Sequence, residues 1–455
     1  MWIALTLLLP LALLIWSVYR GWPVLLAAPV MALGAAALAS DPLFATLTQR
    51  FMPATGGFVV AFLPLFLLGA IFGTLMEASG AALALARGIV ARLGPRQALP
   101  AVVLSCAALT YGGVSLFVVA FAVFPLAVAL FRAAALPQRL IPAAIALGAF
   151  TFTMSALPGS PAIQNAIPMP YFGTTAFAAP GLGIVAGLIM AGGGLLYLGR
   201  LARAEPPGPS LAAAAAPESE NALPPLWLAL APILTVFVAN WVLAEILLPR
   251  LDLRYLADPA WGGVAPSRVI GIWALIGALT LAILLLLALA WRRLSDPRRT
   301  LSDGAQAALL PLFNTAALVG FGSVVAALPA FAAVNALTAE MPGGALSGLA
   351  VSASLLAGIT GSASGGMSIA LDALGARYLE QALAEGTDPS ALHRVVALAT
   401  GGLDALPHNG AVVTLLAIAG LTHREAYGPI FVVAVAIPVL ALVAVLALAS
   451  AFGAF

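Results

Sequence analysis

The sequence predicts an all-α polytopic membrane protein made of two inverted repeats, each with about five transmembrane helices plus a re-entrant hairpin and a discontinuous helix. Three observations carry that prediction. The 455 residues are 63% hydrophobic and 8% charged, with a mean hydropathy of +1.10, whereas soluble domains carry about 25% charged residues. A pair of polar, Gly/Pro-rich interruptions occurs twice in the same order. Finally, the arginines sort into alternate connections.

The first copy of the interruption is Thr110-Tyr111-Gly112-Gly113-Val114-Ser115, followed by Ala156-Leu157-Pro158-Gly159-Ser160-Pro161-Ala162-Ile163-Gln164-Asn165. The second is Thr360-Gly361-Ser362-Ala363-Ser364-Gly365-Gly366, followed by Ala405-Leu406-Pro407-His408-Asn409-Gly410. Tyr111 to Ala156 and Thr360 to Ala405 both span 45 residues. Upstream, Leu63-Pro64-Leu65-Phe66 echoes Leu310-Pro311-Leu312-Phe313. Matched breaks in the two halves of an apolar chain point to a secondary transporter whose site lies between the halves.

Taken in order, apolar runs long enough to span fall at 2–19, 22–39, 57–78, 139–168 and 177–199, about 20 residues each. The first charge is Arg20, so residues 2–19 lack the positive leading region of a cleaved signal and read as a retained helix. The first repeat therefore covers 1–199, with its hairpin at 98–131 and its broken helix at 139–168. Residues 200–224, with Pro206-Pro207-Gly208-Pro209 and an alanine run, read as a flexible cytoplasmic linker. The second repeat covers 225–455, with spans at 225–248, 267–291, 305–328, 391–420 and 428–453 and a hairpin at 345–376.

With the linker inside, thirteen of the nineteen arginines fall on the cytoplasmic side, leaving Arg50, Arg250, Arg254, Arg268, Arg377 and Arg394 outside. The positive-inside rule then places both termini in the periplasm of a bacterial inner membrane. The single Cys106 sits in an apolar stretch and reads as core. The composition excludes a separate soluble domain, and the absence of a basic, aromatic-laced cluster excludes nucleic-acid binding.

Non-helical backbone survives in a bilayer only where it lines a cavity or is buried in protein. The breaks therefore mark the site. Their helix N-termini present free N–H groups to an anion, and no arginine reads as lying at mid-membrane depth. Around them stand Gly112, Gly113, Ser115, Gly159, Ser160, Gln164 and Asn165 in the first half. The second half supplies Ser362, Ser364, Gly365, Ser368, His408, Asn409 and Thr414. These groups suit a small carboxylate bearing hydroxyls. For ion coupling, the ionisable candidates are Asp404 and His408 at the second break, with Asp372 beyond the second tip. Glu77, Glu245, His393, Arg394 and His423 read as interfacial groups at helix ends.

The stretches Tyr111-Gly112-Gly113-Val114-Ser115-Leu116-Phe117-Val118, Arg139-Leu140-Ile141-Pro142, Phe150-Thr151-Phe152-Thr153-Met154-Ser155 and Tyr171-Phe172-Gly173-Thr174 resemble the gluconate permease family of proton symporters, within the ion transporter superfamily. The resemblance implies opposed hairpins, an elevator-like motion against a homodimeric scaffold, and substrates such as gluconate or 3-hydroxybutyrate. Where gluconate carriers have a histidine in the first break, this chain has Leu157-Pro158-Gly159-Ser160-Pro161. Its histidine stands at 408, which favours a shorter acid. No cofactor or metal is expected. The coupling ion is a proton, with a sodium-coupled carboxylate carrier as the alternative. An intramembrane aspartyl protease is excluded, since Gly401-Gly402-Leu403-Asp404 lacks the required pattern and Asp372 has no tyrosine before it.

Overall fold

The computed structural model describes residues 2–114, 116–206, 223–329, 343–407 and 409–455. Ser115 and His408, both expected at the site, lie outside the described residues, as does most of the linker. The described chain is helical, with no strand among the described residues, and six of its helices are long and apolar enough to cross a membrane.

The first half begins with α1 (Trp2–Tyr19), α2 (Val24–Leu38) and the continuous α3 (Leu43–Ala78). The third span thus starts earlier than the expected residue 57. A short amphipathic helix that the hydropathy reading missed follows, α4 (Ala81–Leu93). It buries Ala81, Ala82, Leu85 and Ala86 and carries Arg87 and Arg92, so it is too short and too charged to span.

The first hairpin is α5 (Ala98–Tyr111) and α6 (Leu116–Ala133), turning at Gly112-Gly113. The run expected at 139–168 is broken into α7 (Ile141–Ala149), α8 (Phe152–Ser155), α9 (Ile163–Ala166) and α10 (Pro168–Phe172). Pro158 and Pro161 remove backbone donors there. α11 (Pro180–Ala204) closes the half and carries helix into the first five residues assigned to the linker.

The second half repeats the order. α12 (Leu226–Arg250), α13 (Ser267–Arg293) and α14 (Pro297–Ala326) are long helices. The second hairpin is α15 (Gly344–Thr360) and α16 (Ala363–Ala384), turning at Gly361-Ser362. The second broken helix is α17 (Pro389–Leu403) and α18 (Gly410–Ala419), and α19 (His423–Phe452) ends the fold. Proline opens α10, α11, α14 and α17, in first-turn positions where its missing N–H costs nothing.

Packing sorts these helices into two sets, each drawing on both halves. α14 packs along α3 and α2, while α13 packs on α3 and α12. The other set joins the hairpins and broken helices: α15 on α16 and α17, α5 on α7, α9 and α10 on α17, and α11 on α19. α14 against α16 and α10 against α13 connect the sets.

Polar contacts also join helix ends to one another. At one end Arg139 Nε donates to Glu205 Oε2 at 2.7 Å and Arg139 Nη1 donates to the Glu425 carbonyl at 3.1 Å. At the other end the Gly181 N–H donates to the Phe455 carbonyl, and the Ala345 N–H donates to Glu385 Oε2 at 3.1 Å.

Candidate functional site

The first break is held open by side chains from the second half. Arg394, expected at a helix end facing water, is fully buried, as is His393. The cause lies in α17. Pro389 starts the helix, so Arg394 stands more than a turn inside it, and every residue from Ala391 to Gly402 is buried. The guanidinium uses all five of its N–H groups. Nε donates to the Ala178 carbonyl at 3.1 Å, Nη1 to Asn165 Oδ1 at 3.2 Å and the Ser155 carbonyl at 3.4 Å, and Nη2 to the Ala178 and Ala176 carbonyls at 2.8 and 3.4 Å. Every acceptor is neutral, and Arg394 makes no ion pair among the described residues. A buried guanidinium does therefore sit at the break, where the sequence reading placed none.

Asn165 is the hub of this arrangement. Its Nδ2 donates to the Ser160 and Ala176 carbonyls, both at 2.9 Å, while its Oδ1 also lies 3.1 Å from His393 Nε2. His393 Nδ1 is 2.6 Å from the Thr174 hydroxyl. Ser160 Oγ accepts from the Ala162 N–H, and the Gly159 N–H donates to the Ala176 carbonyl. The hairpin tip joins in through Tyr111, whose hydroxyl donates to the Pro158 carbonyl at 2.5 Å. The expected residues Gly112, Gly113, Gly159, Ser160, Gln164 and Asn165 are thus gathered at one place.

The second break is tied to the second tip. Asn409 caps α18 by accepting from the Ala411 and Val412 N–H groups at 2.7 and 3.1 Å, and its Nδ2 donates to the Gly361 carbonyl at 2.9 Å. Ser362 caps α16 by accepting from the Gly365 N–H at 3.1 Å. The Ser364 hydroxyl lies 3.4 Å from those of Ser362 and Thr315, and Ser368 donates back to the Ser364 carbonyl. Asp404 follows the last residue of α17, half-buried, with its carboxylate within reach of the Ala363 N–H that opens α16. His423 and Tyr427 of α19 donate to the Pro407 and Ala405 carbonyls at 2.8 and 3.1 Å.

Two expected residues stand apart from these clusters. Thr414 donates its hydroxyl to the Gly410 carbonyl one turn back, a bond internal to α18. Asp372 is exposed, and its Oδ1 accepts from the Tyr171 hydroxyl at 2.8 Å, which ties α16 to α10 away from the tip. Glu77, Glu245 and His423 are exposed, as their helix-end positions suggested. Sequence reasoning passed over Thr315 and Asn240 and took the buried Arg394 and His393 for interfacial groups at helix ends. The available signal for Arg394 was Asp388-Pro389, a helix start that carries residue 394 into the apolar run.

A cavity of about 510 Å³ opens beside the first break, lined by Phe177, Pro180, Phe237, Trp241 and Glu245. The Phe177 and Phe237 rings stack edge-on at 5.7 Å between it and Gly159.

No family model matches the sequence. Among curated proteins, the chain is 42% identical to the uncharacterized transporter YxjC of Bacillus subtilis, over 98% of both chains. Its fold is similar to that of the YdaH transporter of Alcanivorax borkumensis, a protein of unusual topology, with a TM-score of 0.53 and 18% identity over 88% of this chain and 87% of that one. It is also similar to MtrF of Neisseria gonorrhoeae, from a class of antimetabolite efflux pumps, with a TM-score of 0.57 and 14% identity over 90% of this chain and 84% of that one. At such identities the two structures speak for the fold alone. The length and closeness of the first match settle the family: this chain is a polytopic membrane protein belonging to the same transporter family as YxjC.

Proposed function

We propose that this transporter is a proton-coupled symporter of a small organic hydroxycarboxylate, such as 3-hydroxybutyrate or gluconate, working by elevator-type alternating access in a bacterial inner membrane. Arg394 is the observation that carries the reading. A guanidinium fully buried among neutral acceptors leaves a net positive charge behind the first break. In a low-dielectric surrounding such a charge is offset most cheaply by an anion at the exposed face of the same backbone. The neighbouring aromatic cavity suits a short carbon chain better than a polyol.

Asp404 is the proton carrier in this reading. It stands at the second break, half-buried, with its carboxylate within reach of the Ala363 N–H that opens α16. The two packing sets supply a moving unit and a scaffold. A second copy would cover apolar side chains such as Trp16, Val30 and Val60, which the single chain leaves exposed. Both termini are periplasmic, and removing the buried Arg394 from the outer count strengthens the charge bias behind that orientation. The similarity to the gluconate permease family supports the same mechanism.

A sodium-coupled carboxylate carrier is the second reading. It is favoured by the hydroxyl cluster of Thr315, Ser362 and Ser364 at the second tip, since sodium is bound by such oxygens. The test is uptake of labelled gluconate, 3-hydroxybutyrate, lactate, citrate or D-serine into proteoliposomes, with a lumenal pH dye reporting co-transported protons. It is run in sodium-free buffer at two pH values. Uptake of a hydroxycarboxylate accompanied by acidification of the lumen, faster at low external pH, is the expected result. Silence until sodium is added would transfer the coupling to the hydroxyl cluster, and silence with every acid under both conditions would refute carboxylate symport.

A further inference from the structure

One face of α12 covers the first tip and the first break. Ile233, Phe237 and Asn240 recur at helical spacing and so share that face. A methyl on Gly112 would come within 2.7 Å of Ile233 Cγ1. Phe237 stacks on Tyr111 at 6.1 Å and on Phe177 at 5.7 Å, and a methyl on Gly159 would lie 2.9 Å from its ring. Asn240 completes the face with a long hydrogen bond, Nδ2 to the Gly159 carbonyl at 3.5 Å. These glycines are what allow the helix to approach the unwound backbone so closely.

Asn240 is 1% exposed, yet its Oδ1 has no donor among the described residues. The long contact to Gly159 engages Nδ2, and the oxygen on the other side of the amide has no donor. A buried amide acceptor without a partner is costly and uncommon. Four buried side-chain polar atoms share that condition among the described residues. Three of them, on Thr110, Gln164 and Asn240, belong to the first tip, the first break and the helix face that covers them. Two residues beyond Asn240, α12 widens into a π-helical turn over Val242–Leu247, a distortion frequent at functional sites.

We infer that Asn240 reads the substrate's hydroxyl group and so sets the preference for hydroxylated over plain carboxylates. The inference rests on the carboxylate reading above and adds to it the group that discriminates. The chemistry follows from donors and acceptors. A carboxylate carries no hydrogen and has nothing to give an amide oxygen, whereas an alcohol donates one hydrogen bond to it. The carboxylate is left to the positive side of the break, and the hydroxyl to Asn240 Oδ1, with Gln164 Oε1 as a second acceptor at the break. Asn240 also belongs to the α12–α13 packing set, while Gly159 belongs to the set of hairpins and broken helices. The hydroxyl is therefore read only in the access state in which these two sets face each other as they do here.

The test uses the full chain in proteoliposomes and the matched pair 3-hydroxybutyrate and butyrate, with and without sodium. Apparent affinities are measured for the wild type, Asn240→Leu and Asn240→Asp. Leucine keeps the volume and removes the acceptor. Aspartate keeps an acceptor and serves if the leucine variant does not fold. The expected result is a hydroxy-over-deoxy preference in the wild type that falls roughly tenfold in Asn240→Leu, whatever loss both acids share, the usual worth of one neutral hydrogen bond at its upper end. In Asn240→Asp both acids bind more weakly and the ratio persists. An unchanged ratio in Asn240→Leu overturns the inference, and so does a change confined to sodium activation. Wild-type protein that transports neither acid of this pair, nor gluconate or lactate, overturns the carboxylate reading itself, and this is seen before any variant is made.

Discussion

Replacing Arg394 with lysine tests whether the first break is braced from the second half. The substitution keeps the charge and loses the fork. An ammonium has three donors on one atom, whereas the guanidinium reaches the Ser155 carbonyl on one side and the Ala178 carbonyl on the other. Asn165 Oδ1 and the Ala176 carbonyl retain other donors after the change, from His393 and from the Gly159 N–H. The Ser155 and Ala178 carbonyls have no other donor among the described residues. Leaving two buried acceptors without a charged donor costs about 1.5–3 kcal/mol each before relaxation, so a net loss of about 3 kcal/mol is expected. The assay is thermal unfolding of the detergent-purified protein followed by size-exclusion chromatography, paired with uptake. Arg394→Gln, which removes the charge as well, should lose comparable stability and additionally raise the KM for the acid. A lysine variant that melts with the wild type and transports normally would refute the bracing argument.

Three further outcomes follow from the geometry. Gly366→Ala drives a methyl into the backbone of Ala357 across the second hairpin; rigid backbone cannot yield, so a loss of about 3 kcal/mol and of transport is expected in the same melting and uptake assays. Asp404→Asn should abolish uphill, pH-gradient-driven accumulation while leaving substrate exchange measurable, and accumulation at the wild-type level would remove Asp404 from the coupling path. In the exposed loop between α12 and α13, the hydrogen bonds from Arg254 hold the Asp252 carboxyl below its ordinary value of 3.8. A lowered carboxyl keeps its contribution above the ordinary range and loses it only as pH falls through the lowered value. Asp252→Asn should therefore leave the pH profile of uptake between about pH 5 and 8 unchanged.

The sequence revealed the breaks, because Pro and Gly act through the backbone and need no partner to be recognised. Tyr111, Gly159, Asn165 and Asn409 all lie where the repeated motifs pointed. Hydropathy also located the long spans, but it began α3 too late, where polar turns were absorbed into helix, and it missed the short amphipathic α4. It failed for Arg394 and His393, since burial of a charge depends on what packs around α17 rather than on α17 itself. Asn240 was invisible for a related reason. Its role comes from facing Gly159, 81 positions earlier in the chain, and a single amide in an apolar helix has no periodic signature. Thr414 shows the converse failure, a hydroxyl at the right spacing whose bond is satisfied within its own turn.

The repeats visible in the sequence are not the packing sets visible in the fold, and this difference can be tested directly. Arg394 and His393 reach from the second broken helix to the first, and Tyr171 reaches Asp372 in the second hairpin, so both broken helices and the second hairpin form one body. Phe237 lies on the opposite set, in contact with Phe177 and Tyr111 only through ring faces and edges. Such apolar contacts have no directional bonds to break when one set slides on the other. With Cys106 replaced by alanine, a cross-link between Phe177→Cys and Phe237→Cys should therefore arrest transport, and reduction should restore it. A cross-link between Tyr171→Cys and Asp372→Cys joins residues within one body and should leave transport running. If the second cross-link arrests transport and the first does not, the moving unit is divided along the sequence halves, and the body defined by Arg394 is not the one that moves.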